Sequence, residues 1–324
     1  MKYVTRFLVT LMCVCCVTHL HAGEDRPVAL AGFLIDIDEV DSVNQSFTIN
    51  FFLEARWHDT SQAHEGEDSI SKDLDDIWYP QLQILNEQSL RTTFPRMAEI
   101  RPDGEVIYRQ RFWGKLSQPL ELRAFPFDSQ RLEITLVGLA WGSVPYSLNI
   151  DPESRLSESL RIPDWEIQGW EFVPKNLPIG RHGAGVSAAV FSVDVKRETA
   201  FFTLKVITPL LLIVAMSWLV LWLDPSLAAP RISVAVTTML TLIAYRFAIG
   251  SMVPRLPFLT TLDYFVLAST VLVFLSLATV IWSTRMNSNG QKDAALALDR
   301  KARWITPILY ALLLVETLYL HIFI

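Results

Sequence analysis

Two hydrophobic patterns follow one another along the chain. From Pro27 to Val195, apolar and polar residues alternate in short runs, as in 47–53, 106–108, 131–136 and 190–195. Turn signals separate the runs, among them Pro102-Asp103-Gly104. Many short alternating runs predict antiparallel strands packed as an all-β, immunoglobulin-like sandwich. The polar stretch 60–68 predicts a mobile loop, and the acidic stretch 69–76 is a candidate for a single helix interrupting the strands. From Thr199 onward the pattern changes to four long apolar runs, 201–223, 232–253, 261–283 and 305–323. Each is long enough to cross a bilayer as a helix, which predicts an all-α four-helix transmembrane domain after the sandwich.

The second long run differs from the other three. Ser233, Thr237, Leu240, Ala244, Phe247 and Ser251 recur at alternating steps of four and three, so they share one helical face. Hydroxyls occupy one end of that stripe and bulky apolar groups the other. Lipid gains nothing from this order. Several copies around an axis would make a wet passage with an apolar constriction, which points to an ion channel of identical subunits. Packing with back-bonded hydroxyls is the plainer account of the same residues. Pro209 in the first run frees a backbone carbonyl, either as a simple packing kink or with a neighbouring helix compensating.

Residues 1–22 read as a signal peptide: Lys2 and Arg6, an apolar run, then His19-Leu20-His21-Ala22 before the cut; a retained anchor helix is the alternative, though the apolar run is short of the roughly 20 residues a span needs. The sandwich would then span 23–198 and the pore domain 199–324, with the lining helix at 232–253. All three cysteines, Cys13, Cys15 and Cys16, fall within the signal, so no disulfide, thiol metal site or cysteine nucleophile is expected after its removal. The connection after the third run carries Arg285, Lys292, Arg300, Lys301 and Arg303, which places it in the cytoplasm and the sandwich outside. From Glu24 to Glu198 there are 29 acidic and 17 basic residues, a net of −12. That balance argues against nucleic acid and anionic lipid as partners of the exported domain and would concentrate cations around it, although solubility alone accounts for the charge equally well.

Several motifs, in order, resemble the prokaryotic pentameric ligand-gated ion channels of the Cys-loop receptor superfamily, and are closest in pattern to their amine-gated bacterial member. They are Trp57-His58-Asp59, Trp78-Tyr79-Pro80 (followed by Gln81 in place of the usual Asp), Phe125-Pro126-Phe127-Asp128, Arg197 before the first span, Pro209, and Pro254-Arg255-Leu256-Pro257. The loop cysteines of animal receptors are replaced by Gln118 and Leu132, and their large cytoplasmic insertion is missing. The resemblance implies a homopentamer in a bacterial inner membrane, with inorganic ions as cargo and no cofactor.

It also implies roles for residues. Ser233, Thr237, Leu240, Ala244, Phe247 and Ser251 would line the pore, with Leu240 and Phe247 as its gate. An agonist would bind between subunits, at Phe33 and Phe52 on one side and Leu85, Leu139, Trp141, Arg181 and His182 on the other. Aromatic faces are few there, which disfavours an amine. Phe52 and Trp141 fit a core role equally well, and protons are the rival trigger, with His182 one candidate sensor. Val43, Phe125, Pro126, Phe127, Asp128, Arg197, Arg255, Leu256 and Pro257 would couple the sandwich to the pore, unless the Asp128–Arg197 pair is merely static.

Selectivity is less legible. The residues before Arg231, at the inner end of the lining helix, are Ala229 and Pro230, where cation channels of the family carry a Glu. The acidic exported domain favours cations; an anion-selective channel of the same family is the alternative. A membrane-anchored binding receptor without conduction also explains the signal, sandwich and spans, but not the ordered stripe. No nucleophile motif or metal-spaced histidine set suggests an enzyme.

Overall fold

The computed structural model describes residues 26–139, 146–178, 185–250 and 256–323, the last seven of these as backbone only. Twelve strands are found among them: β1 Arg26–Asp41, β2 Ser46–His58, β3 Ile70–Asp73, β4 Leu82–Ile84, β5 Glu87–Thr92, β6 Met97–Ile100, β7 Glu105–Ser117, β8 Ser129–Gly138, β9 Tyr146–Ile150, β10 Arg155–Leu156, β11 Trp165–Leu177 and β12 Val186–Arg197. One sheet runs β10-β1-β2-β7-β6-β3, with β5 also on β7 and β9 also on β1; the other runs β11-β12-β8-β4.

Alternation decides which faces meet. Along β2, Phe47, Ile49, Phe51, Leu53, Ala55 and Trp57 are all buried, while Phe52 and Arg56 lie on the other face. In β1 the inward series Val28, Leu30, Gly32, Leu34 is followed by Ile37 rather than Asp36. A register shift between Leu34 and Asp36 causes this. The bulge keeps an apolar residue inside and an aspartate out. Gly32 is needed because a Cβ there would come within 3.0 to 3.1 Å of Phe51, Phe172 and Phe191, the aromatic centre of the sandwich.

The acidic stretch does not form an α-helix. Its first part is β3, paired with β6, and Leu74–Asp76 is one 3-10 turn started by the Asp73 carboxylate accepting from Asp75 N–H. Backbone pairing to β6 satisfies more groups than a short isolated helix would. In the loop before it, Thr60–Gln62 forms another such turn, capped by Asp59. The turn at Pro102-Asp103-Gly104 occurs as expected, with Gly104 at φ 89°.

Four helices follow: α1 Ala200–Trp222, α2 Ala228–Gly250, α3 Thr261–Ser288 and α4 Lys292–Phe323. The first three are each long and apolar enough to cross a membrane. α2 begins four residues before the apolar run does, because Pro230 falls in the first turn, where its missing N–H costs no helical bond. α4 begins well inside the polar connection, so only a short break at Asn289–Gln291 separates α3 from α4.

Backbone groups lost to proline are recovered between helices. The chain widens to a π turn at Thr203–Ile207, just before Pro209. The Tyr245 hydroxyl of α2 donates there to the carbonyl oxygens of Val206 (2.8 Å) and Lys205 (3.2 Å). Pro307 likewise leaves the Arg303 carbonyl of α4 without its N–H, and the Trp218 indole of α1 donates to it at 2.9 Å. Pro209 is therefore a compensated kink rather than a simple one.

Candidate functional site

α2 has two faces. Arg231, Ala235, Thr238, Leu242 and Ile249 are buried against the rest of the subunit. Ser233, Thr237, Leu240, Ala244 and Phe247 are all exposed on other positions, Leu240 at 61% and Phe247 at 79%. The described hydroxyls of α2 that bond back to their own helix are Thr238 and Thr241, to Val234 and Thr237 carbonyls. Ser233 and Thr237 are in neither bond as donors, so the back-bonding account does not apply to them. Arg246 is exposed. Ser251 lies outside the described residues.

The junction between sandwich and helices is built on Asp128. Arg197, the last residue of β12, donates to its carboxylate through Nε (2.7 Å) and Nη2 (3.0 Å), and Gln130 adds a third bond at 2.7 Å. Arg197 also donates to Ser42 Oγ at 3.0 Å, at the β1–β2 turn. Its guanidinium lies over the rings of Trp165 (4.1 Å) and Phe125 (4.9 Å). Two charges out of water need this many partners to be tolerated. The β1–β2 turn itself is held by Asp41, which accepts from the N–H groups of Val43 and Asn44 and leaves the Val43 side chain exposed at its tip.

The Phe125–Asp128 loop reaches the helices directly. The first N–H groups of α3 lack partners in their own helix. Thr261 N–H donates instead to the Arg123 carbonyl at 3.0 Å, and Leu262 N–H to that of Phe125 at 3.2 Å. Thr260 and Asp263 close a capping box on the same turn. Pro126 and Phe127 line an apolar cavity of about 260 Å³ with Thr203, Ile207, Leu262 and Phe265. Leu256 packs against the common core, Pro257 is exposed, and Arg123 stacks on Phe258 at 5.0 Å. Arg255 lies outside the described residues.

Phe33 and Phe52 are paired across β1 and β2 and line a cleft of about 390 Å³ with Glu54, Arg56, Glu153 and Arg155. Phe52 is half-buried and meets Phe94 edge-on at 6.0 Å, outside the central core, so it belongs to the cleft. Arg155 lies over Phe33 at 5.2 Å, and Arg56 bonds Glu54 (2.5 Å) and Glu153 (3.1 Å). Leu85 and Leu139 sit beside β4 in the other sheet, Leu85 exposed and Leu139 half-buried. Trp141, Arg181 and His182 lie outside the described residues. Phe94, Glu153, Arg155, Gln130 and Trp165 escaped sequence reasoning. Gln130 stands only two residues from Asp128, while the other four are brought in by packing across long separations.

Comparison with known proteins agrees with this layout. The model of the neurotransmitter-gated ion-channel ligand binding domain matches residues 19–179, and that of the neurotransmitter-gated ion-channel transmembrane region matches 206–295. A proton-gated ion channel of Gloeobacter violaceus is 24% identical over 90% of this chain and 82% of its own length. The gamma-aminobutyric acid receptor subunits theta of Mus musculus and beta-4 of Gallus gallus are 24% and 25% identical over 80% and 79% of this chain. They are longer proteins, of which 42% and 54% are covered. The chain belongs to the neurotransmitter-gated ion-channel family, the pentameric ligand-gated channels of the Cys-loop superfamily, and is a multi-pass membrane protein with an extracellular strand-rich domain rather than an enzyme.

Proposed function

We propose that the chain, with residues 1–22 as signal peptide, 23–198 as receptor domain and 199–324 as pore domain, forms a homopentameric cation channel of a bacterial inner membrane. Its pore is lined by Ser233, Thr237, Leu240, Ala244, Phe247 and Ser251. The observation that carries this reading is the division of α2 into a buried stripe and an exposed stripe with hydroxyls at the inner end. Rings of Leu240 and Phe247 close the pore by dewetting. The net −12 of the receptor domain, repeated around the axis, draws cations to the mouth.

Protons are the favoured trigger. The cleft at Phe33 and Phe52 offers an amine poor purchase, since Arg155 already covers the Phe33 face. The relative from Gloeobacter violaceus is proton-gated by name. A small ligand in that cleft, completed by the Leu85 and Leu139 side of a neighbouring subunit, is the second reading. In both, the signal crosses through Asp128, Arg197, Val43 and the Phe125–Asp128 loop to α3, and through Leu256 and Pro257 to α2.

Oocytes expressing the chain test this, with the bath stepped from about pH 5 to about pH 9 before amines are added. A pH-evoked current reversing at the cation potential supports the proposal. Reversal at the anion potential overturns selectivity, and current with amines alone overturns the proton trigger. Silence under both, with the protein at the surface, favours a non-conducting receptor.

A further inference from the structure

Arg231 is the largest fully buried side chain among the described residues, at 0% exposure, and it sits in the first turn of the helix that carries the pore stripe. Its Nη2 donates to Asp299 Oδ2 of α4 at 2.9 Å, and Asp299 is equally buried. Nη1 lies 3.4 Å from Ser283 Oγ of α3. Arg231 precedes Ser233 by two residues, which is about 200° around a helix, so its side chain leaves the far side of α2 from the stripe.

Stability is a poor explanation for this pair. Arg231 Nε and Asp299 Oδ1 are both buried without a hydrogen-bond partner. An ion pair with unmet valences in an apolar setting gains less than its desolvation costs, and apolar residues of similar volume commonly do as well. Here the neighbours are small: Ser283, which bonds the Ala295 carbonyl, and Ala295 itself, one turn before Asp299 on α4, are both fully buried. What the pair does accomplish is placement of charge. Without Asp299, a guanidinium at this depth has no compensating anion and a long stem that can swing toward water at the inner mouth.

We propose that Asp299 is a positioning residue for ion selectivity: it holds the Arg231 charge inside the subunit, leaving the inner pore mouth to the hydroxyls of Ser233 and Thr237. This rests on the reading of α2 as the pore helix. The pair lies between α2 and the start of α4, so it ties the outermost helix to the pore. It also explains how a channel with a basic residue at the inner end of its pore helix, and no neighbouring glutamate, passes cations.

The test reads the potential at the inner mouth without requiring the channel to open. Ser233→Cys, with Cys13, Cys15 and Cys16 changed to Ser, is modified in everted membrane vesicles by anionic and by cationic thiosulfonates. The ratio of the two rates reports local charge. Asp299→Asn is expected to raise the anionic-to-cationic ratio on the order of fivefold in moderate salt. Asp299→Glu should match the parent. The doubly neutral Arg231→Gln/Asp299→Asn should also match it, since in the parent that charge never faced the mouth; this variant carries the test if Asp299→Asn alone does not accumulate. An unchanged ratio in Asp299→Asn, or a large fall in the double variant, overturns the proposal. If Ser233→Cys reacts with neither reagent in any background, α2 is not wet and the channel reading itself fails.

Discussion

At Asp128, three hydrogen bonds and two aromatic rings around one ion pair make a site that tolerates no half-measures. Asp128→Asn leaves the Arg197 guanidinium buried with its charge uncompensated, at an expected cost of about 3–5 kcal/mol. Thermal melts of the detergent-purified protein check the loss. A second expectation concerns Asp36, turned outward by the bulge in β1. Burial first, then the hydrogen bond and charge of Asp38, raise its pKa above the ordinary 3.8. The folded protein therefore holds this proton more readily than the unfolded chain. Its contribution is fully present below pH 3.8 and is lost as pH rises through the raised value. Asp36→Asn should raise the melting temperature at about pH 7 and lose that advantage toward about pH 4. A gain that persists in acid would refute the assignment.

At the scale of elements, prolines and aromatic donors come in matched pairs. Tyr245 covers the carbonyls before Pro209, and Trp218 covers the carbonyl before Pro307. These bonds fix the vertical register of α2 and α4 against α1, because each donor has one place to go. Tyr245→Phe is expected to cost about 1 kcal/mol with Pro209 present and less with Pro209→Ala, which restores an N–H to the helix. A double-mutant cycle in melting temperature reads the coupling, and equal costs in both backgrounds would count against the pairing. Pro209 was legible as a freed carbonyl; its donor was not, since 36 residues separate it from Tyr245 and nothing local marks a tyrosine as a partner.

The whole molecule joins a sandwich to a bundle through one continuous apolar core. Val206, Leu210, Leu262 and Phe265 belong to the same buried cluster as Phe51, Phe125 and Phe191. This continuity supports the proposed coupling of receptor domain to helices through the α3 N-terminus and the Phe125–Asp128 loop. If Leu240 and Phe247 close the pore, Leu240→Ser and Phe247→Ala should each raise resting current severalfold by admitting water. Voltage-clamp recordings at neutral pH measure this, and unchanged leak in both would place the gate elsewhere.

The amino-acid order alone determined the alternation that makes β2 and β8 two-faced, the first three spans, and the stripe on α2, because these depend on periods of two and 3.6 residues within one element. It also carried the Asp128–Arg197 pair, through the resemblance of the Phe125–Asp128 motif and of the basic residue before the first span to the family. Only the tertiary structure decided that the acidic stretch joins a sheet, that Arg155 covers Phe33, that Tyr245 answers Pro209 and that Asp299 meets Arg231. Each of these joins residues far apart in sequence. Their energy comes from leaving water together, so the partner is chosen by which elements pack side by side and not by any pattern along the chain.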